Sequence, residues 1–224
     1  YQPHPAFARN AQGQPEYLAL KPEELRNIYS LSDFPHSGTR EVKAADYVYQ
    51  IKRLAHPSIH SPIAGLMAEY VVGLKDYAAT LQQAHKAKPS AFLDLNDHPL
   101  EGAQVVDDHT YRVKVYGKYP QFAYWLAMPF FSPMPVEAER FYAQPGLQER
   151  NITLDWWPVG SGPYYLSENN PNQRMVLSRN PNFSGETYPG EGEAEEVVCF
   201  SATEVSIREQ YRVMANSTAY QETP

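Results

Sequence analysis

The sequence predicts a mixed α/β (α+β) fold, with helices and short strands following one another along the chain. Three observations predict it. Between residues 43 and 88, apolar side chains recur every three or four positions, the period of a helix with one buried face. Between 110 and 116 they alternate singly: Tyr111, Val113 and Val115 against Arg112 and Lys114, the period of a strand with one wet face. Two further strand-like runs, 162–167 and 174–178, flank a turn-forming Asn169-Asn170-Pro171-Asn172.

Composition limits the function classes. The 224 residues suffice for one large domain or two small ones at about 150 residues per domain. Such a chain buries roughly 70% of its unfolded surface. With 42% apolar and 20% charged residues it reads as a soluble globular protein, not a disordered one. A net charge of −7 lacks the basic footprint of nucleic-acid binding, so no nucleic-acid partner is expected. The longest apolar run, 122–131, is interrupted by Pro129 and falls well short of the ~18 residues of a membrane span. Twenty prolines imply many fixed turns, and 17 tyrosines suit surfaces that contact ligands or other lobes. The single Cys199 has no internal disulfide partner. The chain begins at Tyr1 instead of Met, which suggests processing or excision, with any signal peptide upstream.

The elements follow in order. Residues 1–40 are irregular, with one helical turn expected at 21–29, where Pro22, Glu23 and Glu24 suit a first turn. The clearest helix is 43–55: Tyr47, Val48, Ile51 and Leu54 share a face, Asp46 stands in the first turn, Lys52 and Arg53 in the last, and Pro57 lies beyond. Helices at 62–70 and 74–88 are separated by Gly73 and closed by Pro89. A hairpin follows: a strand at 104–106, a turn at Asp107-Asp108-His109 and a strand at 110–116. Short helices are expected at 121–127 and 136–142, joined by a rigid stretch with Pro129, Pro133 and Pro135. After the strands at 162–167 and 174–178 come a glutamate-rich loop at 186–196, a strand at 196–201 and a helix at 204–214.

Most motif-like residues have a plainer reading than chemistry. Gly160-Ser161-Gly162 lacks the spacing of a nucleophile elbow and the third glycine of a dinucleotide loop, and reads as a tight turn whose bare backbone lets something approach closely. Pro57 and Pro62 keep His56 and His60 from aligning on a helix as metal ligands. Asp94-Leu95-Asn96-Asp97 lacks the alternation and central glycine of a calcium loop, so a capped turn is the reading. Asp107 and Asp108 are turn formers, not an acid pair. Asn151, Asn182 and Asn216 each head a glycosylation-type triplet, which an Asn-rich chain produces by chance. Trp156-Trp157, beside the glycine turn, admits two readings, a ligand surface and plain packing. No catalytic constellation, metal site or cofactor site is expected.

Three stretches resemble a known family. REVKAADYVYQIKR at 40–53 resembles a TAxDVVYSxxR helix, with Lys43 where the family commonly has a capping threonine. GAQVVDDHTYRVKV at 102–115 resembles a G-V-x-V-x-D-D-x-T hairpin, followed by Tyr119-Pro120-Gln121-Phe122 and Ser132-Pro133-Met134-Pro135. PVGSGPYYL at 158–166, then VLSRNPNF at 176–183, resembles P-V-G-T-G-P-Y-x-L and L-x-R-N-P-x-Y. In this order they are similar to the family 5 extracellular solute-binding proteins, the periplasmic components of ABC peptide and oligopeptide importers. The resemblance fades after Glu196.

The resemblance implies a partial periplasmic binding protein type II-like fold, an internal fragment of a longer chain. Residues 1–39 would be a loop-rich insertion, 40–135 the small second lobe, and 136–224 part of the first, larger lobe. The implied function is binding of peptides in the periplasm and delivery to membrane permease subunits, without catalysis or cofactor, from a protein that could be lipid-anchored. Trp156, Ser161 and Tyr164 are the expected ligand-facing residues. Alternatives are the same fold binding a nickel chelate, an oligosaccharide or an antimicrobial peptide, and a hydrolase. Surface normally covered by the rest of such a protein would promote dimerisation of the fragment.

Overall fold

The computed structural model describes residues 1–170, 172–184 and 196–200. The chain forms two compact units: Glu41–Arg140, and Tyr1–Arg40 together with the chain from Phe141 onward. Helices α1 (Ala44–Arg53), α2 (Ala64–Tyr70), α3 (Leu74–Ala87) and α4 (Phe122–Leu126) and strands β1 (Ala103–Asp107) and β2 (Thr110–Val113) belong to the first of these. The unit boundary falls within helix α5 (Val136–Tyr142). Helix α6 (Pro145–Gln148) and strands β3 (Tyr164–Asn169), β4 (Arg174–Arg179) and β5 (Glu196–Phe200) belong to the second.

In the unit 41–140 the expected apolar faces converge. Val48 and Ile51 of α1 and Leu54 just beyond its end meet Met67 of α2 and Leu74, Tyr77 and Leu81 of α3 in one core with Leu95, Phe122 and Phe131. Each fully buried side chain of this kind stabilises by about 1.5–3 kcal/mol. The core depends on a close backbone crossing. Residues 114–116 run between Gly102 and the end of α2: Lys114 N–H donates to Gly102 O at 2.9 Å, Val72 N–H to Lys114 O at 3.0 Å, and Tyr116 N–H to Tyr70 O at 2.8 Å. A Cβ at Gly102 would lie 2.2 Å from Val72 O, so only glycine fits there.

Helix α1 begins without a side-chain cap, as Lys43 has no lone pair to offer. The structure supplies substitutes. Asp46 accepts from Lys43 N–H at 2.9 Å. The hairpin turn sits against the helix start, where Asp108 O accepts from Ala44 N–H at 2.8 Å and its carboxylate pairs with Lys43 Nζ at 2.7 Å. Asp107 Oδ1 accepts from His109 N–H at 2.9 Å, so both aspartates act as turn residues. The β1–β2 ladder pairs Ala103 with Val113 and carries a bulge between Val105 and Asp107. It is shorter than the expected strand over 110–116 because the chain beyond Val113 pairs with the segment after α2 instead.

At the end of α1, Lys52 and Arg53 stand in the last turn as expected. The Lys52 ammonium is buried and donates to Leu95 O at 3.2 Å and His98 O at 2.9 Å. Burial lowers its pKa. Leu95 O also accepts from the Tyr77 hydroxyl at 3.1 Å. Asp94 caps the short 3-10 helix Leu95–Asp97 by accepting from Asn96 N–H at 2.9 Å, the capped turn expected there. Arg53 donates to Glu139 at 2.8 Å, and Tyr49 donates to the same carboxylate.

In the other unit, residues 1–40 contribute a buried aromatic cluster. Phe34 and His4 lie edge-on to Phe141 at 5.3 Å each, and Tyr17 lies 5.0 Å from Phe34. The helical turn expected at 21–29 is instead a run of tight turns closed by Glu24 N–H to Lys21 O and Ile28 N–H to Leu25 O. Nine residues are too few to nucleate a helix alone, and here Leu25 and Ile28 gain burial without one. Leu25 packs on Gly146 of α6, a helix the Pro145-Gly146 pair disguises as a turn. Strands β3, β4 and β5 form one antiparallel sheet in that order. The expected helix at 204–214, and the expected loop at 186–196 apart from Glu196, lie outside the described residues.

Candidate functional site

The glycine turn 158–163 is held from outside. Among the described residues, no backbone hydrogen bond closes it on itself. On one side stands Gln2. Its side chain donates to Pro158 O at 3.1 Å and accepts from Gly160 N–H at 2.8 Å, and its backbone N–H donates to Gly160 O at 2.9 Å. On the other stands Asn180. Its side chain donates to Gly162 O at 2.9 Å, its N–H donates to Pro163 O at 2.7 Å, and its Oδ1 accepts from Asn182 N–H at 3.1 Å. Gln2 and Asn180 are both buried, and these bonds satisfy them there.

Just ahead of the turn, His4 anchors the tryptophan pair. Ala6 N–H donates to His4 Nδ1 at 3.0 Å, which places the proton of the neutral ring on Nε2. Nε2 lies 2.8 Å from the Tyr142 hydroxyl, which donates onward to Trp157 O at 2.6 Å. Burial holds the His4 pKa down at about 3, so the ring is neutral. Burial also raises the Tyr142 hydroxyl above its ordinary value, keeping it a donor.

The three sequence-predicted site residues occupy this region. Trp156 is 41% exposed, and its carbonyl accepts from Asn169 Nδ2 at 2.6 Å. Ser161 is exposed at the tip of the turn. Its hydroxyl and N–H, and the Gly162 N–H, make no hydrogen bond among the described residues. Tyr164 is half-buried at the start of β3, opposite Arg179. Neither Gly160 nor Gly162 has a left-handed backbone, and a Cβ there would meet nothing nearer than 3.8 Å. The fold itself therefore asks for no glycine at either position. The arrangement can stack a group on an indole face and hydrogen-bond it through a bare turn.

Asn180 lies within the 176–183 stretch, but no sequence pattern marks Gln2, His4 and Tyr142. Their chemistry depends on partners more than a hundred residues away in sequence, and no local pattern signals that. Among the described residues no group of three or more His, Cys, Asp or Glu side chains converges to hold a metal, and no helix is long and apolar enough to cross a membrane.

Comparison with known proteins places the chain. The model of bacterial extracellular solute-binding proteins, family 5 Middle, matches residues 36–200. The chain belongs to this family. The match takes in the α1 stretch, the hairpin and the glycine turn with Asn180. The periplasmic oligopeptide-binding protein OppA of Salmonella typhimurium is 32% identical over 143 residues, covering 63% of this chain and 23% of that protein. OppA of Escherichia coli is 29% identical over 175 residues, covering 77% and 28%. The chain thus spans about a quarter of the length of the curated relatives it matches. The solved structure of Haemophilus influenzae OppA in complex with RPPGFSPFR aligns with a TM-score of 0.52 at 17% identity, covering 77% of this chain and 30% of that one. An oligopeptide-binding protein of Borrelia burgdorferi aligns at 0.51 and 15% identity, covering 79% and 30%. At such identities the likeness concerns the fold, and this family 5 chain carries part of the periplasmic binding protein type II-like architecture.

Proposed function

We propose that this chain is a section of a peptide-binding protein that captures oligopeptides in the periplasm and delivers them to the permease of an ABC importer, without catalysis. The observation that carries the reading is the family match over 36–200 together with 32% identity to a protein named for oligopeptide binding. Residues 41–140 would form the small lobe, and the other unit part of the large one. Trp156, Ser161 and Tyr164 are the proposed ligand-facing groups. An exposed indole beside a bare glycine turn suits a ligand whose backbone must be held while its side chains vary.

Native mass spectrometry of the full-length protein, purified gently from its host, tests the reading. A spread of small peptide masses is the expected result, and a single non-peptide ligand would overturn it. For the site, Trp156→Ala in the full-length protein is expected to weaken peptide binding at least fivefold. An affinity within twofold of wild type removes Trp156 from the site.

A further inference from the structure

We propose that Gln2 and His4 are positioning residues for the turn at 156–162, setting from a distant part of the sequence how Trp156 and Ser161 are presented. The inference rests on the proposed ligand role of that turn.

The turn cannot set its own shape. It has two glycines, whose backbones are the least restricted of any residue, and no internal backbone hydrogen bond among the described residues. Its geometry is imposed by the groups that grip it. Asn180 does this from a neighbouring strand end and fixes the exit, at Gly162 and Pro163. The entry is fixed by residues 156 to 158 positions away in sequence: Gln2 takes Pro158 O and both backbone groups of Gly160. His4, through the Tyr142 hydroxyl, takes Trp157 O. Between the two grips Ser161 and the Gly162 N–H are left open, and Trp156 is left exposed.

The gripping segment is itself rigid. Gln2 and His4 are buried, and the His4 ring is enclosed by Phe7, Phe141 and Tyr142 with centroids 5.3–6.3 Å away. His4 Nδ1 caps the 3-10 helix Pro5–Phe7, and His4 and Gly38 exchange backbone hydrogen bonds of 2.9 and 3.1 Å. A rigid support gripping a shapeless turn, with the polar groups between the grips left open, is the arrangement of a presented binding element.

The test compares Gln2→Met, which removes both side-chain bonds at nearly constant size, with Gln2→Glu, which keeps the acceptor for Gly160 N–H. Tyr142→Phe keeps the ring and removes the relay. All are made in the full-length protein. Hydrogen exchange over 157–162 is expected to accelerate at least tenfold in Gln2→Met and less in Gln2→Glu. Tyr142→Phe should accelerate it too, with protection of the β3–β4 ladder unchanged. Calorimetry with tetra-alanine is expected to show affinity falling at least fivefold in the same order. Exchange over 157–162 within twofold of wild type in both Gln2→Met and Tyr142→Phe overturns the proposal. Faster exchange with unchanged tetra-alanine affinity overturns it as well, because the turn would then be gripped but not presented. If the wild-type protein binds no tetra-alanine, the peptide reading fails, while the graded exchange still decides whether these residues hold the turn.

Discussion

The Asn180 side chain donates to the Gly162 carbonyl at 2.9 Å while its backbone N–H donates to Pro163 O at 2.7 Å, so one buried residue clasps both halves of the Gly-Pro step. The two motifs at 158–166 and 176–183 are thus a single device. Asn180→Ala removes the only side-chain donor to Gly162 O among the described residues and leaves Asn182 N–H without its acceptor. The expected cost is about 1–3 kcal/mol, the penalty for orphaning buried polar groups. Urea melts of the full-length protein check it, and a loss below about 0.5 kcal/mol would contradict the clasp.

His4 makes the fold acid-sensitive. Its folded pKa is lowered to about 3 from the ordinary 6.5 by burial, among ring neighbours that carry no charge. The unfolded chain therefore takes up a proton at this ring below pH 6.5 that the folded chain refuses. The contribution of His4 to stability is full above pH 6.5 and is lost as pH falls from there toward 3. At pH 4.5 the loss is about 2–3 kcal/mol at roughly 1.36 kcal/mol per pH unit. Wild type should lose that much more stability between pH 7.5 and 4.5 than His4→Gln does, measured by urea midpoints.

The start of α1 separates backbone from side-chain effects. Asp46→Ala removes the carboxylate that accepts from Lys43 N–H, and is expected to cost about 1 kcal/mol, as losing a helix cap does. Asp108→Ala removes only an exposed ion pair with Lys43 and is expected to cost well under 1 kcal/mol. The bond that satisfies Ala44 N–H comes from the Asp108 backbone and survives the substitution. Thermal denaturation showing the reverse order would contradict this account.

Lys52 and Tyr77 share one acceptor, Leu95 O. The same carbonyl accepts from His98 N–H at 3.4 Å, so Lys52→Met or Tyr77→Phe alone leaves it two donors. Together they leave it only that long backbone bond among the described residues, so the double variant should lose more stability than the two singles summed, by about 0.5–3 kcal/mol. A double-mutant cycle by urea denaturation measures the difference, and strict additivity would show that the shared carbonyl is not the link.

Much of the fold was legible because periodicity is local. The apolar positions of α1 and α3, the alternation of β2, and the Asn-rich turn between β3 and β4 each lie within a dozen residues, and each element formed where its pattern stands. Errors came where a local signal competed with a distant partner. Lys52 stands in the last turn of α1 as expected, but its bonds to Leu95 O and His98 O were not legible, because its stem reaches carbonyls more than forty residues away in sequence. Residues 21–29 carried helix-start signals, but burying Leu25 and Ile28 required only turns. At the candidate site, the Trp156 indole and the Gly160-Ser161-Gly162 turn are legible as a local combination, bare backbone next to an aromatic. Gln2, His4 and Tyr142 are not.

By itself, then, the sequence determined the order and type of most elements, the family, and the stretch of chain where a bare turn meets an exposed aromatic. Only the tertiary structure decided what shapes that turn, what meets the Ala44 N–H at the start of α1, and where the buried lysine and histidine send their hydrogen bonds. The reason is physical. Helix and strand patterns arise from side chains a few residues apart, whereas a buried polar group must find its partner wherever the folded chain places one.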